Sequence, residues 1–304
     1  MKIHGDSGWE EFPSYLDVVV PRVIEFGESR SLRLTAFVVG QDAALGKNRE
    51  ALEMLGESVH EIGNHSFHHE PWLHLKSRKE VSDEISRADE AITAATGQKA
   101  VGFRGPGFSV SEATIRSLHD ARYVYDASTL PTWVGPLARA FYLRSTGLPQ
   151  TEREKRDQLF GKPSEGLRSL KPYTWDLGRE ESLVEMPVTT MPLLRIPFHA
   201  TYLFYLARVS PALSKKYFAA AVNLCRFRGI EPSLLFHSLD FLGPEEAPGL
   251  EFFPGMDLDG ETKRSLLGDY VTILGRHYQL VAMDEHAMSA SLTPLAKQDV
   301  GSLS

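Results

Sequence analysis

Hydrophobic positions along the chain fall into two rhythms that alternate. Short apolar runs bounded by glycine or polar residues occur at 32–40 (LRLTAFVVG), 58–62, 100–103 and 123–125, and each reads as a buried strand. Between them lie segments whose apolar positions recur by helical turns, at 15–29, 48–56, 76–96 and 111–120. In the first of these Val18, Val19, Val23 and Phe26 are so spaced, and Pro21 predicts a kink or a helix that starts there. The third opens on Ser77 with Glu80 three residues on, the pattern of a capping box, and Gly97 stops it. Strand followed by helix, repeated, predicts parallel strands with crossover helices and an α/β fold.

The second half keeps the rhythm less strictly. Strands are predicted at 183–187, 192–197, 233–237 (SLLFH) and 279–283, and helices at 201–207, 213–228 and 261–275. Residues 135–176, rich in charge, proline and glycine, read as an exposed insertion, and the tail after Ser289 looks frayed. One domain over 1–290 with a flexible tail at 291–304 is the organisation this predicts.

Composition narrows the classes. A chain of 304 residues can bury a full core. At 42% hydrophobic, 24% charged and net charge −7, it lacks the basic excess that a nucleic-acid partner requires. The single cysteine, Cys225, excludes an internal disulfide and a multi-cysteine metal site, and its helical surroundings predict a buried small hydrophobe. The apolar runs are too short to span a bilayer and no signal peptide is visible, which predicts a cytoplasmic location if Met1 is the true start.

The chemistry concentrates at 60–72, HEIGNHSFHHEPW, where four of the chain's 11 histidines fall. His65 and His69 are four apart, so on a helical turn they share a face and two imidazoles can converge on one divalent cation. The strand before them delivers them to a strand end. Arg104, Asp126 and His237 follow or close other predicted strands, and carboxyl ends of parallel strands are where α/β barrels carry function.

His-Glu-Ile-Gly-Asn-His-Ser-x-x-x-His resembles the second motif of the polysaccharide deacetylases, the NodB-like carbohydrate esterase family 4. The resemblance implies a distorted (β/α) barrel. It implies a divalent metal on His65 and His69, zinc first, with cobalt, nickel and manganese also compatible. Arg104-Gly105-Pro106-Gly107-Phe108 is similar to the family's arginine motif, which orients the catalytic carboxylate, with Pro106 and Gly107 among the substrate contacts. Leu235-Phe236-His237 is similar to the motif that supplies the general acid. Asp126 lies where the fourth motif falls, without its Asp-x-x-Asp-Trp pattern, and is expected to contact substrate.

The amino terminus departs from the family. No Asp-x-Asp pair on a hydrophobic strand precedes Leu32, so the first strand reads as incomplete and the catalytic base is unidentified. Asp6 is the early candidate for third metal ligand. Either the recorded start lies downstream of the real one, which we favour, or the chain is an inactive relative that binds carbohydrate. The leading expectation is a metal-dependent hydrolase that removes N-acetyl groups from a glycan or sugar-containing precursor. An amidase acting on a small amide or cyclic imide is the alternative within hydrolases. His199 is expected to contact a sugar or to cap the next helix.

Overall fold

The computed structural model describes residues 14–133, 163–250, 253 and 255–303. Internal contacts divide the chain into two compact units, one formed by Met1–Ser128, Tyr173–Glu185 and Val281–Ser304, the other by Thr129–Pro172 and Met186–Leu280. Asp6 and most of the predicted insertion lie outside the described residues.

The first unit is built on one sheet. Its strands are β1 (Thr35–Val38), β2 (Glu61–Asn64), β3 (Gly102–Phe103), β4 (Tyr125–Asp126), β5 (Tyr173–Gly178), β6 (Glu181–Glu185) and β7 (Ala296–Asp299), in the order β1-β2-β3-β4-β6-β5-β7. Every pairing is parallel except the β5–β6 hairpin. The α/β class is therefore as the alternation predicts. Among the described residues the sheet does not close on itself, since β1 pairs only with β2 and β7 only with β5.

Helix α1 (Leu16–Glu28) precedes β1, and α2 (Gly40–Ala43), α3 (Arg49–Glu57), α4 (Arg78–Thr96) and α5 (Glu112–Asp120) connect the parallel strands. Pro21 is accommodated inside α1, which starts ahead of it at Leu16. The predicted ends of α4 are realised. Ser77 and Glu80 form the reciprocal capping box, and Gly97 takes the left-handed conformation (φ 71°) that closes the helix. Val81, Ile85, Ala88 and Ile92 of α4 are fully buried, and the core continues through Phe103, Ile115, Leu118, Tyr173 and Trp175. Gly102 leaves the space through which the Tyr125 ring passes, and the Tyr125 hydroxyl donates to Glu61 at 2.7 Å.

Two predictions for the carboxyl-terminal part of this unit are corrected. No strand forms at 279–283. The chain enters α9 (Met283–Ala290) instead, whose first N–H groups are taken by Thr35 Oγ1 (2.8 Å) and Glu61 Oε2 (3.0 Å), while Arg33 clamps Asp284 through two bonds of 2.6 and 2.7 Å. The supposed tail supplies β7 and the buried Val300. Its sequence, Ala-Lys-Gln-Asp, hides the strand because an edge strand exposes most of its side chains.

The second unit contains α6 (Ala200–Val209), α7 (Pro211–Phe227) and α8 (Gly260–Gly275) around Phe198, Phe204, Phe218 and Tyr270. Ser214 satisfies the buried end of this core, donating to Leu203 O at 2.7 Å and bonding Tyr270 OH at 2.6 Å. Cys225 is fully buried in α7, and burial pushes its thiol up to about 12. The strand predicted at 192–197 is a tight turn. Arg195 N reaches Met191 O at 2.7 Å, Leu193 and Arg195 adopt positive φ, and the bridge Thr190–Pro197 closes it. The strand predicted at 233–237 joins no ladder; at its start Thr189 N donates to Ser233 Oγ (3.2 Å) and Ser233 N to Thr189 Oγ1 (2.8 Å).

Candidate functional site

In the first unit, β2, β3 and β4 end side by side, and each delivers a residue singled out in the sequence. His65 follows Asn64, Arg104 follows Phe103, and Asp126 closes β4. The ladders run one residue past the strands, with Arg104 N donating to Asn64 O at 3.0 Å and Ala127 N to Phe103 O at 2.8 Å.

His65 and His69 come together, with ring centroids 4.8 Å apart at an interplanar angle of 62°. The means differ from the expected helical turn. Residues 65–70 form a loop in which Ser66 (φ 60°) and His69 (φ 55°) are left-handed, and Ser66 Oγ accepts from His69 N at 3.1 Å. Asn64, fully buried, fixes the loop's origin. Its side-chain oxygen accepts from Ser66 N at 2.8 Å, and its amide reaches Ile85 O, Asp89 and the Tyr123 hydroxyl.

His65 Nδ1 lies 2.5 Å from the main-chain oxygen of Arg104. A carbonyl can only accept, so Nδ1 carries the hydrogen, and in the neutral imidazole Nε2 is then the nitrogen with the lone pair. That tautomer, held by a backbone carbonyl, is the one a metal-ligating imidazole requires. The donor set therefore fits a divalent cation at two ligands. Among the described residues no group of three His, Cys, Asp or Glu side chains converges on one point.

The arginine motif forms a second loop bound to the first. His74 N and Nδ1 both meet Ser109 Oγ, at 2.8 and 2.9 Å, and a Cβ on Gly107 would stand 2.9 Å from Pro71. Gly107 is exposed with φ 61°, whereas Pro106, also expected among the substrate contacts, is buried. Arg104 is half-buried. Its Nε donates to Ala127 O at 3.0 Å and its guanidinium lies 4.5 Å over the Phe37 ring. Burial lowers its pKa to about 10.

Asp126 does not face solvent. It is fully buried, accepts from Ser128 Oγ at 2.5 Å, and sits in register with the equally buried Glu185 of β6. Burial first, then the Glu185 charge, raises its pKa well above the usual carboxylate range. Nothing in its local sequence announces Glu185, because the partner lies on a strand nearly 60 residues away.

His237 belongs to the second unit. It does not end a strand but precedes a single turn at Ser238–Phe241. Its Nδ1 bonds Thr201 Oγ1 at 2.9 Å, Asp240 Oδ2 accepts its backbone N–H at 2.7 Å, and the Phe253 ring stands 5.4 Å away. His199 is buried at the start of α6 with its ring 6.0 Å from His237, and it makes no side-chain cap. Asp240, three residues after His237, had a legible signal as a turn-opening acid; Thr201 had none.

Residues 6–125 match the family model for polysaccharide deacetylase. No curated protein matches the chain. A solved structure from Mycobacterium smegmatis, named for the polysaccharide deacetylases, shares the fold at a TM-score of 0.61 and 18% identity, over 93% of this chain and 81% of that one. A family 4 carbohydrate esterase from Streptomyces lividans in complex with acetate aligns at 0.33 and 24%, over 42% and 62%. A family 4 acetyl xylan esterase from Clostridium thermocellum, in complex with a cobalt ion, aligns at 0.32 and 19%, over 49% and 77%. Among the described residues no helix is long and apolar enough to cross a membrane. HEIGNHSFHH and RGPGF, on adjoining strand ends, both lie inside residues 6–125, the segment that is similar to the polysaccharide deacetylase family model.

Proposed function

We propose that the chain is a metal-dependent deacetylase acting on an N-acetylated glycan or a sugar-containing precursor. The observation that carries this is the closeness of the His65 and His69 rings, with His65 Nδ1 turned to the Arg104 carbonyl. His65 and His69 would hold the cation, zinc first among those the donors tolerate, and Asp6 is our candidate for the third ligand. When bound, a divalent cation supplies Lewis acidity toward an acetyl carbonyl and toward water.

The chain's own groups supply the rest. Arg104, clamped by Ala127 O and stacked on Phe37, keeps a positive charge at the strand ends and orients an acidic group there. His237 is the general acid: Thr201 occupies Nδ1, so a proton leaves from Nε2 to the departing amine. Gly107, exposed beside Pro71, contributes to the substrate wall.

Metal content of the purified protein and release of acetate from N-acetylglucosamine oligomers test the reading together. One equivalent of metal with acetate release supports it. A protein that holds metal yet cleaves only small amides or cyclic imides moves the substrate to that class, and a protein that binds the oligomers without metal or turnover replaces the enzyme by a carbohydrate-binding relative.

A further inference from the structure

Glu84 lies on α4, outside every motif discussed so far, and it is buried, with 6% of its surface exposed. A carboxylate so placed is costly unless its lone pairs are satisfied. All of its described partners but one come from the histidine loop. Oε2 accepts from the consecutive backbone N–H groups of Phe67 (3.2 Å) and His68 (3.0 Å), and Oε1 meets His68 Nδ1 at 2.5 Å. Lys76 Nζ completes the set at 3.2 Å from Oε1, and also reaches Glu70 at 2.7 Å.

The two residues whose N–H groups Glu84 binds lie between the two left-handed residues, Ser66 and His69. A non-glycine residue in that conformation costs on the order of 1–3 kcal/mol and persists only where its surroundings over-determine it. Ser66 and His69 are joined by one bond, from His69 N to Ser66 Oγ; Glu84 ties the intervening residues to a capped helix with a buried face. Among the described residues this segment links the two imidazoles, with His65 held at its start by β2 and the Arg104 carbonyl.

We propose that Glu84 is the positioning residue of the His65–His69 pair: by binding the backbone of Phe67 and His68 it holds the loop in the turn that brings the two rings together. This rests on the metal-binding reading of that pair. His68 then serves as the loop's own anchor to Glu84, which accounts for a third histidine in the loop that points to α4 and not to His65.

The test uses the full chain and its Glu84→Ala and Glu84→Gln variants. Amide hydrogen exchange on the metal-free proteins is expected to quicken at least tenfold at Phe67 and His68 in Glu84→Ala, with β2 and the middle of α4 unchanged. Cobalt(II) affinity should fall about ten- to a hundredfold, the usual range for loss of a group that orients ligands, and the visible spectrum of the cobalt protein should change. Glu84→Gln, which keeps one acceptor oxygen and the volume, should lie between; it also serves if the alanine variant does not fold. Cobalt affinity and spectrum equal to the unsubstituted protein in both variants overturn the proposal. If the unsubstituted protein binds no cobalt, the metal reading fails, while exchange at Phe67 and His68 still decides whether Glu84 holds the loop.

Discussion

Asp126 and Glu185 stand opposite each other in the register of β4 and β6, and neither carboxyl reaches solvent. Two buried carboxylates side by side cannot both ionise cheaply, so Asp126 keeps its proton far above the usual carboxylate range. Ser128 and Trp175 bond the remaining oxygens, at 2.5 Å to Asp126 and 2.8 Å to Glu185.

The sign of the pH dependence follows. A group whose pKa is raised on folding binds more protons folded than unfolded, so its contribution is fully present below about pH 4 and is lost as pH rises through the folded value, at up to about 1.4 kcal/mol per pH unit. Asp126→Asn stays neutral throughout and its amide can donate to Glu185. Relative to the unsubstituted protein it should match at pH 4 and gain stability toward pH 8, as measured by urea unfolding across that range. A constant difference would sink this account of the pair.

Gly102→Ala places a methyl group inside the space of the Tyr125 ring. Overpacking of this kind costs about 1–3 kcal/mol, and here it also pulls the Tyr125 hydroxyl from Glu61. Urea unfolding should register the loss, and Tyr125 fluorescence or ring NMR signals should shift.

Truncation after Ala290 removes β7, the partner of β5, and uncovers Tyr173 and Trp175. Loss of cooperative unfolding or of soluble protein is expected. Val300→Ala, which removes roughly two methylene-sized groups at about 0.8 kcal/mol each, should cost about 1–2 kcal/mol and leave the fold intact.

Ser77→Ala strips the capping box from α4 and should cost about 1 kcal/mol. Thermal unfolding checks it, and a loss no larger than that of a neighbouring exposed substitution such as Lys79→Ala would count against the cap.

Two kinetic outcomes separate the proposed roles. His65→Ala should lose bound metal and turnover together. His237→Ala should keep the metal and lose about 10²–10⁴-fold in kcat, the range for a general acid. Metal analysis alongside steady-state kinetics decides, and a His237→Ala protein with undiminished kcat removes that residue from the mechanism.

The strand–helix alternation, the caps of α4 and the delivery of His65 and Arg104 to strand ends were all legible in the chain, because each depends on neighbours within a few residues. The closeness of His65 to His69 was legible as a spacing but for the wrong local reason, since two left-handed residues rather than a helical turn produce it. Edge strand β7 and the buried Val300 were invisible: an edge strand needs no apolar alternation, and its partner β5 lies more than 100 residues earlier. The Asp126–Glu185 and Glu84–His68 contacts, and the bond of Thr201 to His237, likewise join residues far apart in sequence. Local patterns determine which segments become strands, helices and caps. Which polar side chains lose water, and which partner each then finds, is decided only when distant segments pack, since burial is a property of the assembled sheet and not of any one stretch of chain.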